Sequence, residues 1–132
     1  TPGLLARALD PQAQPLNEEE MARLALGLRT RLQNDAGNVE GWLMLGRIGM
    51  VLGNAGTATG AYANAYRLDP KNSDAALGYA EALTRSSDQL GNAGTATGAY
   101  ANAYRLDPKN RDAALGYAEA LTRSSDPEDN RR

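Results

Sequence analysis

The sequence predicts an all-α fold of about six helices that stack as antiparallel pairs. Two observations lead to this prediction. Apolar residues recur at steps of three and four along most of the chain, which is the spacing of one face of an α-helix. Residues 52–88 also recur as residues 90–126, with Ser73 against Arg111 as the sole difference. A period of this length is typical of solenoids, in which one helical unit stacks on the next.

The composition argues against several classes of function. At 132 residues, with 42% hydrophobic and 23% charged residues, the chain is long enough for one domain or a short array of repeats. Histidine and cysteine are both absent, which removes Ser-His-Asp triads, thiol chemistry and Cys/His metal sites. The net charge of −2 disfavours nucleic acid as a partner. We therefore expect no catalytic residues, no metal, no cofactor and no membrane contact by this segment.

The first predicted elements are an N-terminal segment, residues 1–16, and a capping helix, residues 17–34. The segment contains one helical turn and a proline-containing linker. Asn17 is suited to N-cap the helix, and the acidic residues 18–20 suit the positive end of its dipole. The apolar face that covers the first repeat comes from the leucines of the helix, Leu24, Leu26, Leu28 and Leu32.

The first full repeat, residues 39–72, is predicted to form two helices joined by a tight turn. Apolar residues at helical spacing indicate a first helix that starts near Trp42. Gly53 then breaks this helix, and Asn54 is suited to N-cap the second one. The second helix ends before Pro70, because the residue that precedes a proline is pushed out of the α region.

The second repeat, residues 73–110, carries four extra residues at 86–89. It is followed by a predicted final helix at 111–125 and a polar tail at 126–132. Four residues are close to one helical turn, so the insertion can lengthen a helix without much rotation of its apolar face. The alternative is a longer turn, because serine and aspartate form turns. We favour the turn, because the residues that follow resist one continuous helix; they are Gly91, Asn92 and Gly94.

The signature residues of the first repeat resemble the tetratricopeptide repeat (TPR). Gly49 departs from that signature, where a tyrosine is usual. The other signature positions match, and they are Trp42, Leu45, Gly46, Ala58, Tyr62, Ala65 and Pro70. The resemblance implies a right-handed superhelix of antiparallel helix pairs, a TPR solenoid, in which the tyrosines and Trp42 belong to the core.

A longer match is more specific. The run EGWLMLGR, followed by AYRLDPKNSDAALGYAEALTRSSD, is similar to the periplasmic repeat domain of the cytochrome c maturation machinery. That haem-lyase subunit family includes the nitrite-reductase accessory subunits, and the resemblance covers about residues 1–88. It implies a periplasmic, bacterial-envelope origin and a chaperone-like role towards the C-terminal segment of an apocytochrome. It implies no catalysis by the domain itself.

The near identity of the two copies indicates an engineered duplication. Natural repeats drift wherever packing tolerates change, yet even solvent-facing positions such as Lys71 and Lys109 agree here. A very recent natural duplication would give the same pattern. The chain is therefore either a peptide-binding module that derives from cytochrome c maturation or a designed structural scaffold with no natural ligand.

TPR arrays usually bind peptides in a concave groove lined by the first helix of each pair, and projection of that groove gives the predicted site. Its residues are Leu43, Arg47, Met50, Leu77, Glu81, Thr84, Arg85, Leu115, Glu119 and Arg123. An amphipathic peptide would lay its apolar side on Leu43, Met50 and Leu77. Arg47 and Arg85 would flank it. For any one charged residue, an ordinary surface pair four residues apart is the simpler interpretation.

Self-association is the second predicted interaction, as a homodimer or a swapped assembly. The last helix nearly repeats an internal helix, and the surface that the internal copy buries on the following helix would be left exposed at the end. The predicted contacts are Leu115, Tyr117 and Leu121, together with the mid-helix glycines Gly60 and Gly98. Those glycines either form a flat face for a second helix or record sequence drift that was copied with the block.

Overall fold

The computed structural model describes residues 16–86 and 89–124, so almost all of the predicted N-terminal segment and the predicted tail lie outside the described residues. The described residues form six α-helices and no strand, which confirms the all-α prediction. The helices are α1 (Glu18–Asn34), α2 (Val39–Val51), α3 (Ala55–Leu68), α4 (Ser73–Arg85), α5 (Gln89–Leu106) and α6 (Arg111–Ser124). Each helix packs on the next, and α2 also contacts α4, as α4 contacts α6. The helices therefore stack as a solenoid.

Asparagine side chains fix where most of these helices begin. In each case the side-chain carbonyl accepts a hydrogen bond from the backbone N–H three residues on, at 2.8 to 3.2 Å. These N-caps are Asn17, Asn38, Asn54, Asn72 and Asn110. The Glu20 carboxylate in turn accepts a hydrogen bond from the Asn17 backbone N–H, which completes a capping box. The caps satisfy N–H groups that the first turn of a helix leaves without an intrahelical partner.

Small residues allow the helices to cross closely, and a tyrosine fills the space that they leave. Ala58 and Ala65 of α3 are fully buried. A Cβ added to Gly46 of α2 would lie 2.7 Å from the Tyr62 ring, and one added to Gly78 of α4 would lie closer still. The Tyr62 ring therefore sits between α2 and α4 and touches the backbone of both helices.

The two copies of the repeated sequence start their second helices differently. In the first copy Leu52, Gly53 and Asn54 form the connection between α2 and α3, and Gly53 adopts a φ of 74°. In the second copy the same three letters, residues 90–92, lie inside α5. Helix α5 has 18 residues and α3 has 14. The chain does leave the helical conformation at Ser86, where the prediction places a turn. The reason given for that turn was wrong, because α5 begins at Gln89 and contains Gly91, Asn92 and Gly94.

The position of the chain reversal explains this difference. Helix α4 ends at Arg85, and Ser86 is extended with φ −71° and ψ 159°. The chain thus leaves the helix before the repeated letters begin, and the Asn92 side chain donates a 2.7 Å hydrogen bond to the Ser86 hydroxyl. A mid-helix glycine costs about 1 kcal/mol relative to alanine. The packing of α5 along α4, the most extensive helix contact in the described chain, outweighs that cost.

Candidate functional site: the inner face of α2, α4 and α6

The first helices of the successive pairs, α2, α4 and α6, share one side of the solenoid, and their polar side chains meet there. The charges of Arg47 on α2 and of Asp74 and Glu81 on α4 all act on the Tyr62 hydroxyl. The charge of Asp112 on α6 in turn raises the pKa of Glu81. We call this surface the inner face and define it by Arg47, Asp74, Glu81, Arg85 and Asp112.

Tyr62 anchors the centre of the inner face. Its ring is buried between α2 and α4, while its hydroxyl lies near enough to Arg47 for the charge of that side chain to act on it. Burial raises the pKa of Tyr62 above its ordinary value of 10.0, and the positive charge of Arg47 offsets only part of this increase. The phenol is therefore neutral at physiological pH.

Glu81 lies where negative charge is crowded. Burial raises the pKa of the half-buried Glu81 carboxyl above 4.5, and the neighbouring Asp112 carboxylate raises it further. The Arg85 guanidinium lowers this pKa but does not cancel the increase. A positively charged ligand group placed between α4 and α6 would therefore gain from both carboxylates.

The second copy repeats the tyrosine arrangement one step along the solenoid. The Tyr100 ring is buried, and a Cβ added to Gly116 of α6 would clash with it. The Tyr100 hydroxyl lies 3.5 Å from the Thr84 hydroxyl of α4. The Thr84 hydroxyl also donates a 2.9 Å hydrogen bond to the Ala80 carbonyl. Tyr100 therefore joins α4 to α6 as Tyr62 joins α2 to α4.

An open cleft of about 320 Å³ lies between α1 and α2, next to the inner face. Its apolar lining includes Leu28, Leu32 and Met44, and its polar lining consists of Arg31, Asn38, Glu40 and Arg47. Arg47 therefore belongs to both the cleft and the polar group around Tyr62. The cleft and the inner face together offer an apolar pocket, two guanidinium groups and, further along, a pair of carboxylates.

The structure places the predicted groove residues in three different environments. The exposed ones are Arg47, Arg85, Leu115 and Glu119, and the half-buried ones are Met50, Glu81 and Thr84. Leu43 and Leu77 are buried, at 2% and 9% exposure. Leu43 packs among residues of α3 and α4, and Leu77 packs with residues of α5 and α6. These two leucines are core residues and cannot form the predicted apolar floor; the Arg123 side chain lies outside the described part.

The predicted self-association residues also differ in exposure. Leu115 and Leu121 are exposed, whereas Tyr117 is half-buried, with its ring centroid 6.0 Å from that of Tyr104. Gly60 and Gly98 are exposed, and a Cβ on either would meet no atom within 4 Å. These two glycines are not sites of close helix contact within the chain.

Sequence reasoning did not predict that the tyrosine hydroxyls and the α1–α2 cleft belong to this surface. It assigned the tyrosines to the core, which is correct for the buried Tyr62 and Tyr100 rings but omits the Tyr62 hydroxyl, on which the charge of Arg47 acts. The glycines opposite the rings were a signal for this arrangement, because Gly46 and Gly78 can only be explained by a large neighbour. Among the described residues no group of three or more acidic side chains could hold a metal ion. None of the described helices is long and apolar enough to cross a bilayer.

Comparison with known proteins identifies the repeat domain. The family model of the cytochrome c-type biogenesis protein H TPR domain matches residues 1–93. The cytochrome c-type biogenesis protein CcmH of Escherichia coli K12 is 78% identical over 87 residues, which cover 66% of this chain and 25% of that protein. A putative CcmH of Haemophilus influenzae is 37% identical over 87 residues, or 66% of this chain and 19% of that protein. The chain thus spans about a quarter or less of the length of these relatives.

A solved structure supports the fold independently of close sequence similarity. The Arabidopsis OM64 TPR domain superposes with a TM-score of 0.66 at 16% sequence identity, over 79% of this chain and 83% of that domain. At this identity the likeness concerns the fold alone. It confirms the predicted helical solenoid.

Proposed function

We infer that this chain, which belongs to the family of cytochrome c-type biogenesis protein H TPR domains, is a non-catalytic module that binds a peptide segment of another protein. The module would comprise the helical array at residues 17–126, with the ligand in the α1–α2 cleft and on the inner face. The relatives are named as cytochrome c-type biogenesis proteins, and we extend this role to an apocytochrome-like ligand and a periplasmic origin, which the resemblance of the sequence implies. The position of Arg47, shared by the cleft and the inner face, supports this function most directly.

The chemistry of the two sites suggests which end of the peptide binds where. The cleft joins apolar side chains to two guanidinium groups, which suits an apolar C-terminal residue with its free carboxylate on Arg31 and Arg47. The crowded carboxylates of Glu81 and Asp112 suit a lysine or arginine further back in the peptide. The ligand is therefore a C-terminal segment with an apolar last residue and a basic residue upstream.

The test is a titration of the protein with a fluorescent peptide of about twelve residues that ends in a free carboxylate. We expect Arg47→Met to weaken binding at least tenfold, because a charge-assisted hydrogen bond contributes about 1.5–3 kcal/mol. Arg67→Met is the matched control, because Arg67 is an exposed arginine of α3 that bonds to Asn64. Its affinity should equal that of the wild type.

Amidation of the peptide C-terminus tests the orientation. The amidated peptide should bind the wild type about as weakly as the free peptide binds Arg47→Met, and it should lose little more on that variant. Equal affinity of both peptides for the wild type would contradict the proposed carboxylate contact. No binding at about 1 mM would contradict the proposed function.

A designed structural scaffold without a ligand is the second candidate. The near identity of residues 52–88 and 90–126 favours this interpretation and an engineered duplication, because natural copies drift at exposed positions. Absence of peptide binding in a folded protein would favour the scaffold. Diverged synonymous codons between the two copies of the gene would contradict a recent deliberate duplication.

A further inference from the structure

The two ends of the α1–α2 cleft offer a ligand different chemistry. Helices α1 and α2 run antiparallel, because only residues 35–38 connect them. Leu32 near the end of α1 therefore lies opposite Gly41 near the start of α2, and a Cβ added to Gly41 would lie 3.0 Å from the Leu32 Cδ2 atom. Arg47 follows six residues later, or about 9 Å along the axis of α2. We call these two parts of the cleft the Gly41 end and the Arg47 end.

The floor of the cleft is apolar and firm. Leu28 and Leu32 line it, and they are only 6% and 2% exposed. Both leucines belong to one buried apolar cluster of α1, α2 and α3. Because protein cores are close-packed, such side chains cannot retreat far. A ligand side chain that enters the cleft therefore has to fit the space that the floor leaves.

Gly41 leaves that space open. The three heavy atoms nearest to an added Cβ belong to Leu32 and Asn38, and both of these residues line the cleft. A methyl group at residue 41 would therefore stand among the lining side chains and reduce the space between them. The backbone does not require a glycine here, because residue 41 is helical and Gly53 is the glycine with a positive φ in the described part of the chain.

The polar groups at the Gly41 end favour an apolar ligand side chain. Asn38 is already engaged, because its Oδ1 atom accepts a 3.0 Å hydrogen bond from the Gly41 N–H and its Nδ2 atom donates a 3.1 Å hydrogen bond to the Asp35 carboxylate. The exposed Glu40 carboxylate, which also lines the cleft, repels an acidic side chain. An exposed ion pair with a basic side chain contributes little.

The arginines place a ligand carboxylate one large side chain away from Gly41. Side chains of a helix lean towards its N-terminus, so Arg47 leans back towards the Gly41 end. Arg31 lies on the antiparallel helix and leans the opposite way, which brings the two guanidinium groups closer together. A last residue whose carboxylate binds there has to span most of the remaining distance to fill the Gly41 end. A phenylalanine, methionine or leucine side chain does so, and the methyl group of alanine does not.

We propose that Gly41 makes the peptide site select a large apolar last residue, with phenylalanine, methionine and leucine preferred to alanine. The last side chain lies over Gly41, while Arg31 and Arg47 hold the carboxylate. This inference rests on the proposed peptide binding and adds to it the residue that determines specificity.

Two fluorescent peptides that differ only in their last residue, phenylalanine or alanine, test this selection. The wild type should bind the phenylalanine peptide at least tenfold more tightly, because a large apolar side chain leaves water. On Gly41→Ala this ratio of affinities should fall below about threefold. Gly27→Ala is the matched control, because Gly27 is an exposed residue of α1 where a Cβ meets nothing within 4 Å. Its ratio should equal that of the wild type, and far-UV circular dichroism checks that both variants are folded.

The ratio separates selection from a structural effect, because a variant that only distorts the cleft would weaken the binding of both peptides equally. A wild-type ratio near one, or an unchanged ratio on Gly41→Ala, would overturn this inference and leave peptide binding in place. A peptide ending in lysine that binds more tightly than the phenylalanine peptide would also overturn it. No binding of either peptide to the folded wild type at about 1 mM would overturn the proposed function and this inference together.

A nuclear magnetic resonance titration of the wild type tests the same placement without a substitution. At saturation the phenylalanine peptide should shift the Gly41 amide resonance at least twice as far as the alanine peptide, because an aromatic ring over the glycine adds its ring-current effect. Equal shifts of the Gly41 amide with both peptides would contradict the proposed position of the last side chain.

Discussion

The packing of Tyr62 between α2 and α4 makes Gly78 the position where a single methyl group has the most informative effect. A Cβ at residue 78 would lie closer than 3.0 Å to three atoms of the Tyr62 ring. The ring cannot simply swing away, because Tyr62 is 6% exposed and its ring lies against the backbone of both helices. Gly78→Ala must therefore separate α2 from α4 or displace the ring.

The expected magnitude follows from two opposing effects. Overpacking a well-filled core costs about 1–3 kcal/mol, and replacement of a mid-helix glycine by alanine contributes about 1 kcal/mol of stability. The net change should be a loss of up to about 2 kcal/mol. Gly60→Ala is the matched control, because Gly60 is exposed in the middle of α3 and a Cβ there meets nothing within 4 Å. This variant should gain up to about 1 kcal/mol.

Urea unfolding followed by circular dichroism gives the free energy of unfolding of each variant. The two values can be compared provided that both variants show the same dependence on urea concentration. The two variants carry the same chemical change in a helix, so the difference between them isolates the contact with Tyr62. If Gly78→Ala proved as stabilising as Gly60→Ala, the ring would not occupy the space between the helices, and the placement of the Tyr62 hydroxyl on the inner face would be contradicted.

Glu81→Gln should raise the free energy of unfolding at pH 7, because burial and Asp112 raise the pKa of Glu81 and its ionised form therefore costs stability. This gain in the free energy of unfolding should vanish below pH 4.5, because the carboxyl is then protonated in the folded and the unfolded chain alike. Urea titrations that give the same gain at pH 7 and below pH 4.5 would contradict this prediction. Asn54→Ala should cost about 1 kcal/mol of the free energy of unfolding, because it removes the side chain that caps α3. An unchanged free energy in urea titrations would contradict the role of this cap. The free energy of unfolding should fall as the pH rises above 10.0, because burial raises the pKa of Tyr62. Tyr62→Phe should lose less of this free energy in alkaline urea titrations. A loss equal to that of the wild type would contradict the assignment of this effect to Tyr62.

Much of the fold could be predicted because local chemistry determines it. Asn17 and Asn54 cap helices by hydrogen bonds to residues three positions away, so the letters alone identify them. Ala58 and Ala65 are buried where the repeat pattern requires small residues. Such features depend on neighbours in the chain or on positions that recur with the repeat.

The same reasoning failed where burial depends on which other helix is present. Leu77 and Leu115 occupy equivalent positions of the repeated sequence, yet one is core and the other is exposed, because among the described residues a helix packs on that side of α4 but not of α6. Leu43 was placed in the groove since helical spacing defines a face but does not say what covers it. Gly53 and Gly91 are likewise followed by the same sequence but differ in conformation, because Gly53 belongs to the connection itself, whereas the second copy leaves the helix already at Ser86.

The most direct test of peptide binding by the inner face is a nuclear magnetic resonance titration that maps where a ligand lies. The ¹⁵N-labelled protein is titrated with the free-carboxylate peptide. Amide shifts should cluster in α2 and α4 around Arg47 and Glu81, and the same titration of Arg47→Met should give much smaller shifts. Shifts confined to α3 and α5, or no shifts at saturating peptide, would contradict the proposed site.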